Sequence, residues 1–141
     1  LGYATDEALK LYEEVKRVYE LLYRELELNA PFSRYQARTC ELFEAMGHTT
    51  VKTRPETESG YVHSLGHGIG LHVHEKPFSS MVNPSPNDLL VPGAAFTLEP
   101  GLYYPERGLG VRIEDSLWVT PQGKFEILVD YPKDLVLPVK R

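Results

Sequence analysis

The chain has 141 residues, 42% of them hydrophobic and 25% charged, the make-up of an ordinary globular domain long enough to bury a core. Its 15 Lys and Arg stand against 20 Asp and Glu for a net charge of -5, and no run approaches the ~18 consecutive apolar residues of a membrane span, so neither a nucleic-acid partner nor a bilayer crossing is expected. A single cysteine, Cys40, excludes an internal disulfide and a cysteine-based zinc cage, and makes the cytoplasm the default location.

Apolar residues at Ala8, Leu11, Val15, Val18, Leu22 and Leu26 keep the spacing of one helical face, with Asp6 and Glu7 in the favoured first turn, and predict a helix over about residues 5–27. Asn29, Ala30 and Pro31 end it. Ser33 with Gln36 three residues later reads as a capping box opening a second helix over about 33–46, with Ala37, Cys40, Phe43 and Met46 inward and Gly47 at its C-terminal end. Residues 49–60 are polar and irregular and read as a connecting loop. From Tyr61 onward the pattern changes to short β-like runs, 61–74, 95–104, 110–120 and 125–131, punctuated by Gly and Pro. Strands joined by short turns are most simply antiparallel. The expected class is therefore α+β, two helices followed by a small, mainly antiparallel sheet over about 61–131.

The residues able to do chemistry fall in this second part. Period two places Thr97 and Glu99 on one face of their strand, and Arg112, Glu114 and Ser116 on one face of theirs. A hairpin turning at Glu106-Arg107-Gly108 sets Glu99 opposite Glu114. Like charges so placed destabilise a sheet unless they are neutralised by a divalent cation, by protonation of one carboxyl or by pairing with Arg112. All five histidines lie between positions 48 and 74, four of them in His63-Ser-Leu-Gly-His67-Gly-Ile-Gly-Leu-His72-Val-His74. Glycine at that density disfavours a helix and lets another backbone or a ligand come close. His72 is the weakest candidate of the set. No zincin helix, phosphate-binding loop or dinucleotide fingerprint is present, Ser64 lies in no nucleophile elbow, and Cys40 sits on the inward face of a helix. Metal chemistry with imidazole and carboxylate ligands remains, a donor set suited to Mn, Co or Zn.

His-Ser-Leu-Gly-His-Gly-Ile-Gly-Leu-His-Val-His-Glu at 63–75, Thr-Leu-Glu-Pro-Gly-Leu-Tyr at 97–103 and Gly-Val-Arg-Ile-Glu-Asp at 110–115 resemble, in order and spacing, three signatures of the pita-bread metallopeptidases, family M24. The resemblance implies the second half of the pita-bread fold across residues 1–141. It also implies two divalent metal ions (Mn, Co or Zn) bound through His67, Glu99 and Glu114, with Glu114 bridging. Glu99 would carry the proton, His63 and His74 would hold the substrate and steady the tetrahedral intermediate, and Arg112 would orient the bridging carboxylate or the far end of the substrate. The compact Arg-Ile-Glu-Asp block is most similar to the Xaa-Pro peptidases, which act on dipeptides or peptides with proline in second position. The family's dinuclear site also uses two aspartates on preceding strands, whereas the only aspartate before His63 is Asp6. Leu1 to Glu7 resembles the segment just after the second of them. The expectation is a C-terminal portion of a longer enzyme, weak alone, pairing with a second copy or with the other half. A metal-free peptide- or protein-binding module is the alternative, and retention of His67, Glu99 and Glu114 favours the enzyme.

Overall fold

A computed structural model describes residues 3–137. Helix α1 spans Asp6–Arg24 and α2 spans Phe32–Ala45. Seven strands follow: β1 His67–Gly68, β2 Glu75–Phe78, β3 Ala95–Leu98, β4 Gly101–Tyr104, β5 Leu109–Arg112, β6 Asp115–Val119 and β7 Phe125–Ile127. They form a five-stranded sheet in the order β2-β1-β3-β6-β7 and a two-stranded sheet of β4 and β5, with every pairing antiparallel. This is the α+β arrangement expected. Among the described residues no helix is long and apolar enough to cross a membrane.

The Thr5 hydroxyl caps α1 by accepting the Ala8 N–H at 3.2 Å, and Leu11, Val15, Val18, Tyr19 and Leu22 bury its apolar face. The helix stops at Arg24, three residues earlier than its periodicity predicts. The reason is tertiary: the Tyr35 hydroxyl accepts the Glu27 N–H at 2.7 Å and donates to the Glu25 carbonyl at 3.2 Å, taking over backbone groups that another turn would have used.

The start of α2 departs from its sequence signal for a similar reason. No side chain caps it, so Ser33 and Gln36 do not form a capping box. Instead the Phe32 N–H donates to the Asp88 carbonyl at 2.8 Å, supplied by a loop running alongside that also pairs Leu90 with Ala30. Gln36 is free to turn inward, and the buried face consists of Phe32, Tyr35, Gln36, Thr39, Cys40 and Phe43, while Ala37 and Met46 are only half-buried. Gly47 follows the helix with φ of +90°, as a left-handed terminator should. Phe32 meets Phe96 edge-on at 5.2 Å, and Phe43 meets Tyr61 at 5.3 Å, so α2 sits directly on the sheet.

Residues 61–74 contribute only the two-residue β1 to the sheet rather than a long strand. The register shifts between His67 and Gly68, and the backbone packs so closely there that a Cβ on Gly68 would overlap the Lys76 carbonyl. The runs predicted at 95–104 and 110–120 are each cut in two, at Glu99-Pro100 and at Ile113-Glu114. The pairing nevertheless keeps one register from Ala95 opposite Trp118 through to Tyr104 opposite Leu109, so Glu99 and Glu114 face each other across the interruption. The chain reverses at Pro105–Gly108, where the hairpin turn is expected. The last strand ends at Ile127 rather than near Tyr131.

Gly68→Ala is expected to cost about 3 kcal/mol, because its Cβ meets backbone that cannot swing aside. Gly47→Ala, which has open space and only an unfavourable φ, should cost about 1 kcal/mol. Urea unfolding of the two variants checks the order.

Candidate functional site

The site is assembled where the two sheets part. Glu99 leaves β3 and gives its N–H to the Leu65 carbonyl at 2.9 Å, so its buried carboxyl group is held against the residues of β1. Thr97, two residues back on the same face, donates its hydroxyl to Glu99 Oε1 at 2.9 Å and accepts the His67 N–H at 3.0 Å. A single threonine thereby fixes both the carboxylate and the backbone that carries the imidazole.

The His67 ring stands with Nε2 3.3 Å from Glu99 Oε1 and Nδ1 3.0 Å from the Gly68 carbonyl. A carbonyl only accepts, so Nδ1 carries the proton. Nε2 then faces the carboxylate oxygen of Glu99. On the other side of Glu99 lies Arg112, its guanidinium 3.7 Å from Glu99 Oε2 and 3.3 Å from Glu114 Oε2. Burial works against the Arg112 charge, but Tyr103, Glu114 and Glu99 around it outweigh that and hold its pKa above the usual guanidinium value. Arg112 thus reaches both glutamates, one of the three ways of neutralising the pair.

The donor chemistry also fits a divalent cation. An imidazole nitrogen and a carboxylate oxygen 3.3 Å apart are of the ligand types that such an ion takes. Glu114 stands farther along, reached through Arg112. Among the described residues no group of three or more His, Cys, Asp or Glu side chains is gathered into one cage.

His63 packs between the Tyr61 and Tyr103 rings at 5.3 and 5.4 Å. Its Nδ1 is 2.7 Å from the Ser64 carbonyl, and its Nε2 is buried with no partner. Burial pushes the His63 pKa down, with hydrogen bonding to Ser64 and the charge of Glu99 opposing. The ring is neutral, protonated at Nδ1, and offers Nε2 as an acceptor. His74 is exposed, its ring centroid 4.2 Å from that of His67. A cavity of about 370 Å³ joins these groups, lined by His63, Ser64, His67, His74, Phe78, Glu99 and Arg112. Glu114 lies just outside its wall. His72 is exposed, and His48 lies away from this cavity, with Nε2 3.1 Å from Glu14 and Nδ1 2.5 Å from the Tyr104 hydroxyl, where it joins α1 to β4.

Two contributors are named in the sequence reading, Gln36 for a helix cap and Thr97 only as a neighbour of Glu99, but neither is given a part in the site. Gln36 accepts the Leu65 N–H at 2.5 Å and the Tyr61 hydroxyl at 2.9 Å, and donates to the His63 carbonyl at 3.2 Å, pinning the segment between the two site histidines. Its signal was a polar residue at an inward helical position. Thr97 could be found as the same-face neighbour of Glu99.

Residues 1–121 match the model of metallopeptidase family M24. A putative dipeptidase of Bacillus subtilis is 49% identical over 77 residues, covering 55% of this chain and 20% of the relative. The Xaa-Pro dipeptidase of Pyrococcus furiosus is 34% identical over 115 residues, covering 79% and 30%. Among solved structures, a dipeptidase from Pyrococcus horikoshii superposes with a TM-score of 0.74 at 33% identity, covering 94% of this chain and 33% of that one. The chain thus spans between a fifth and a third of the length of these relatives.

The buried, neutral state of His63 sets a pH dependence. Its folded pKa lies below its unfolded value, so as pH falls through about 6.5 the unfolded chain takes up a proton that the folded chain refuses, and stability drops. His63→Asn should flatten that part of the profile. The difference between the urea midpoints of wild type and variant, at pH 7.5 and again at pH 5.5, measures it, and a constant difference would rule the effect out.

Proposed function

The chain belongs to metallopeptidase family M24, and from that membership we propose that it is the metal-binding part of a pita-bread peptidase that hydrolyses the bond between a residue and a following proline, in dipeptides or at peptide N-termini. The observation that carries this reading is the row His67, Glu99 and Arg112 along one wall of the cavity, continued just outside it by Glu114: an imidazole, two carboxylates and a guanidinium set at the seam of the sheets.

In this reading His67, Glu99 and Glu114 hold two divalent ions of the Mn, Co or Zn type. Such ions, when bound, would supply Lewis-acid activation of a water at neutral pH. The chain's own residues do the rest. Glu99, steadied on Oε1 by Thr97, takes the proton of the attacking water and passes it to the departing proline nitrogen. His63, whose Nε2 has no partner in the fold, accepts a hydrogen bond from an N–H of the substrate and so fixes its position. His74, at the open side of the cavity, is the histidine left to steady the oxygen of the scissile carbonyl as charge develops there. Arg112 faces the cavity with a guanidinium able to bind the terminal carboxylate of a dipeptide. Three protein ligands are few for two fixed ions, so the 141 residues alone are expected to hydrolyse slowly and to need donors from another chain or segment.

Metal titration by calorimetry, followed by elemental analysis after gel filtration, tests the assignment. Mn or Zn affinity should fall about 100-fold or more in Glu99→Ala and His67→Ala, and clearly in Glu114→Ala. Glu106→Ala, at the hairpin turn, should match wild type. Equal effects at all four positions would refute the ligand set. A complete enzyme of this type should cleave Ala-Pro and spare Ala-Ala, and lose activity to a chelator.

A further inference from the structure

The loop between β1 and β2 carries His74 over the cavity, yet nothing buries it. Leu71 is fully exposed and Val73 is 70% exposed, so the two apolar side chains that could have anchored the loop make no use of the core. A segment without buried side chains needs some other constraint to hold one shape. Glu75, the first residue of β2, provides it. Its carboxylate folds back along the loop, Oε2 accepting the His72 N–H at 3.0 Å. Among the described residues no other side chain accepts a backbone N–H from residues 70–74. The same carboxylate lies flat against Gly70, where a Cβ would overlap both its oxygens, and the Gly70 N–H closes the turn on the His72 carbonyl at 3.1 Å.

We propose that Glu75 is a positioning residue of the site: by reaching back to the His72 N–H across the bare face of Gly70, it fixes the loop that sets the His74 ring beside that of His67. The strand geometry of β2 already places the Glu75 backbone opposite Gly68, next to His67, so the staple ties the exposed His74 to the same two strands that hold His67. What matters is the reach of the side chain more than its charge. An aspartate has the carboxylate but is one methylene short, whereas a glutamine has the length and an oxygen that accepts the same N–H. The proposal rests on the peptidase reading only in giving His74 a task at the substrate.

The test is amide hydrogen exchange of His72 together with the His74 ring resonance, followed by NMR in the 141-residue chain for Glu75→Asp, Glu75→Gln and Glu75→Ala. Glu75→Asp and Glu75→Ala should speed His72 exchange about fivefold and shift the His74 ring signal, while Glu75→Gln keeps both near wild type. If Glu75→Ala fails to fold, the aspartate and glutamine variants decide alone. Wild-type behaviour in Glu75→Asp, or loosening in Glu75→Gln equal to that in Glu75→Asp, overturns the proposal. Neither readout depends on bound metal or hydrolysis, so failure of the peptidase reading would show in the metal and cleavage assays and leave this one standing.

Discussion

A single break in a hydrogen-bond ladder organises this molecule. β3 with β6 and β4 with β5 share one register, and a continuous hairpin would be the simplest outcome. It does not form because Pro100 has no N–H to donate and Glu99 gives its own to Leu65, outside the pair. The strands therefore separate into two sheets over two residues on each side. The facing glutamates fall in that gap. In an intact ladder they would repel at close range; at the seam the Arg112 guanidinium lies between them, 3.7 Å from Glu99 and 3.3 Å from Glu114.

The seam is held at a definite height by a relay of backbone and side-chain hydrogen bonds that begins in α2. Gln36 accepts the Leu65 N–H, and the Leu65 carbonyl accepts the Glu99 N–H, so the position of the catalytic candidate on the sheet is referred back to the helix beneath it. Thr97 adds a second route from β3 to both Glu99 and His67. Buried polar groups cost stability unless they are paired, and here each is paired to a neighbour that carries site chemistry. The exception is His63 Nε2, which is buried and which the fold leaves without a partner.

Helices, turn and facing glutamates were legible in the sequence because each follows from a local rule. The helical face from Leu11 to Leu22 is a matter of period, the turn at Pro105–Gly108 of turn chemistry, and the opposition of Glu99 and Glu114 of equal distance from that turn. What local rules cannot contain is a competing partner from far along the chain. Ser33 and Gln36 carry the spacing of a cap, but the Asp88 carbonyl reaches the helix start first and releases Gln36 to the core. The early end of α1 is decided by the hydroxyl of Tyr35, and the raggedness of residues 61–74 by how closely Lys76 and Thr97 approach glycines that have no side chain to keep them away. In the site, the ligand candidates could be listed from residue types, whereas the two residues that aim them, Gln36 and Thr97, look in the sequence like ordinary polar residues.

The character of the Arg112 contacts bears on what the glutamates are for. A structural ion pair in this molecule looks like Arg38 with Glu25, two nitrogens on two oxygens at 3.0 Å each. Arg112 instead divides itself between two carboxylates at 3.3 and 3.7 Å while half its side chain stays in solvent, and so gains little from either. Besides this clamp the buried Glu99 receives only the Thr97 hydroxyl, at 2.9 Å, among the described hydrogen-bond donors, and Glu114 is exposed. The Nε2 of His67 stands 3.3 Å from Glu99 and adds a nitrogen ligand type on the other flank. A sheet evolved only to stack would have replaced Glu99 with an apolar residue, as it does at the flanking Phe96, Leu98 and Leu102. The seam keeps its carboxylates weakly countered, and that is the condition under which a divalent ion can compete for them.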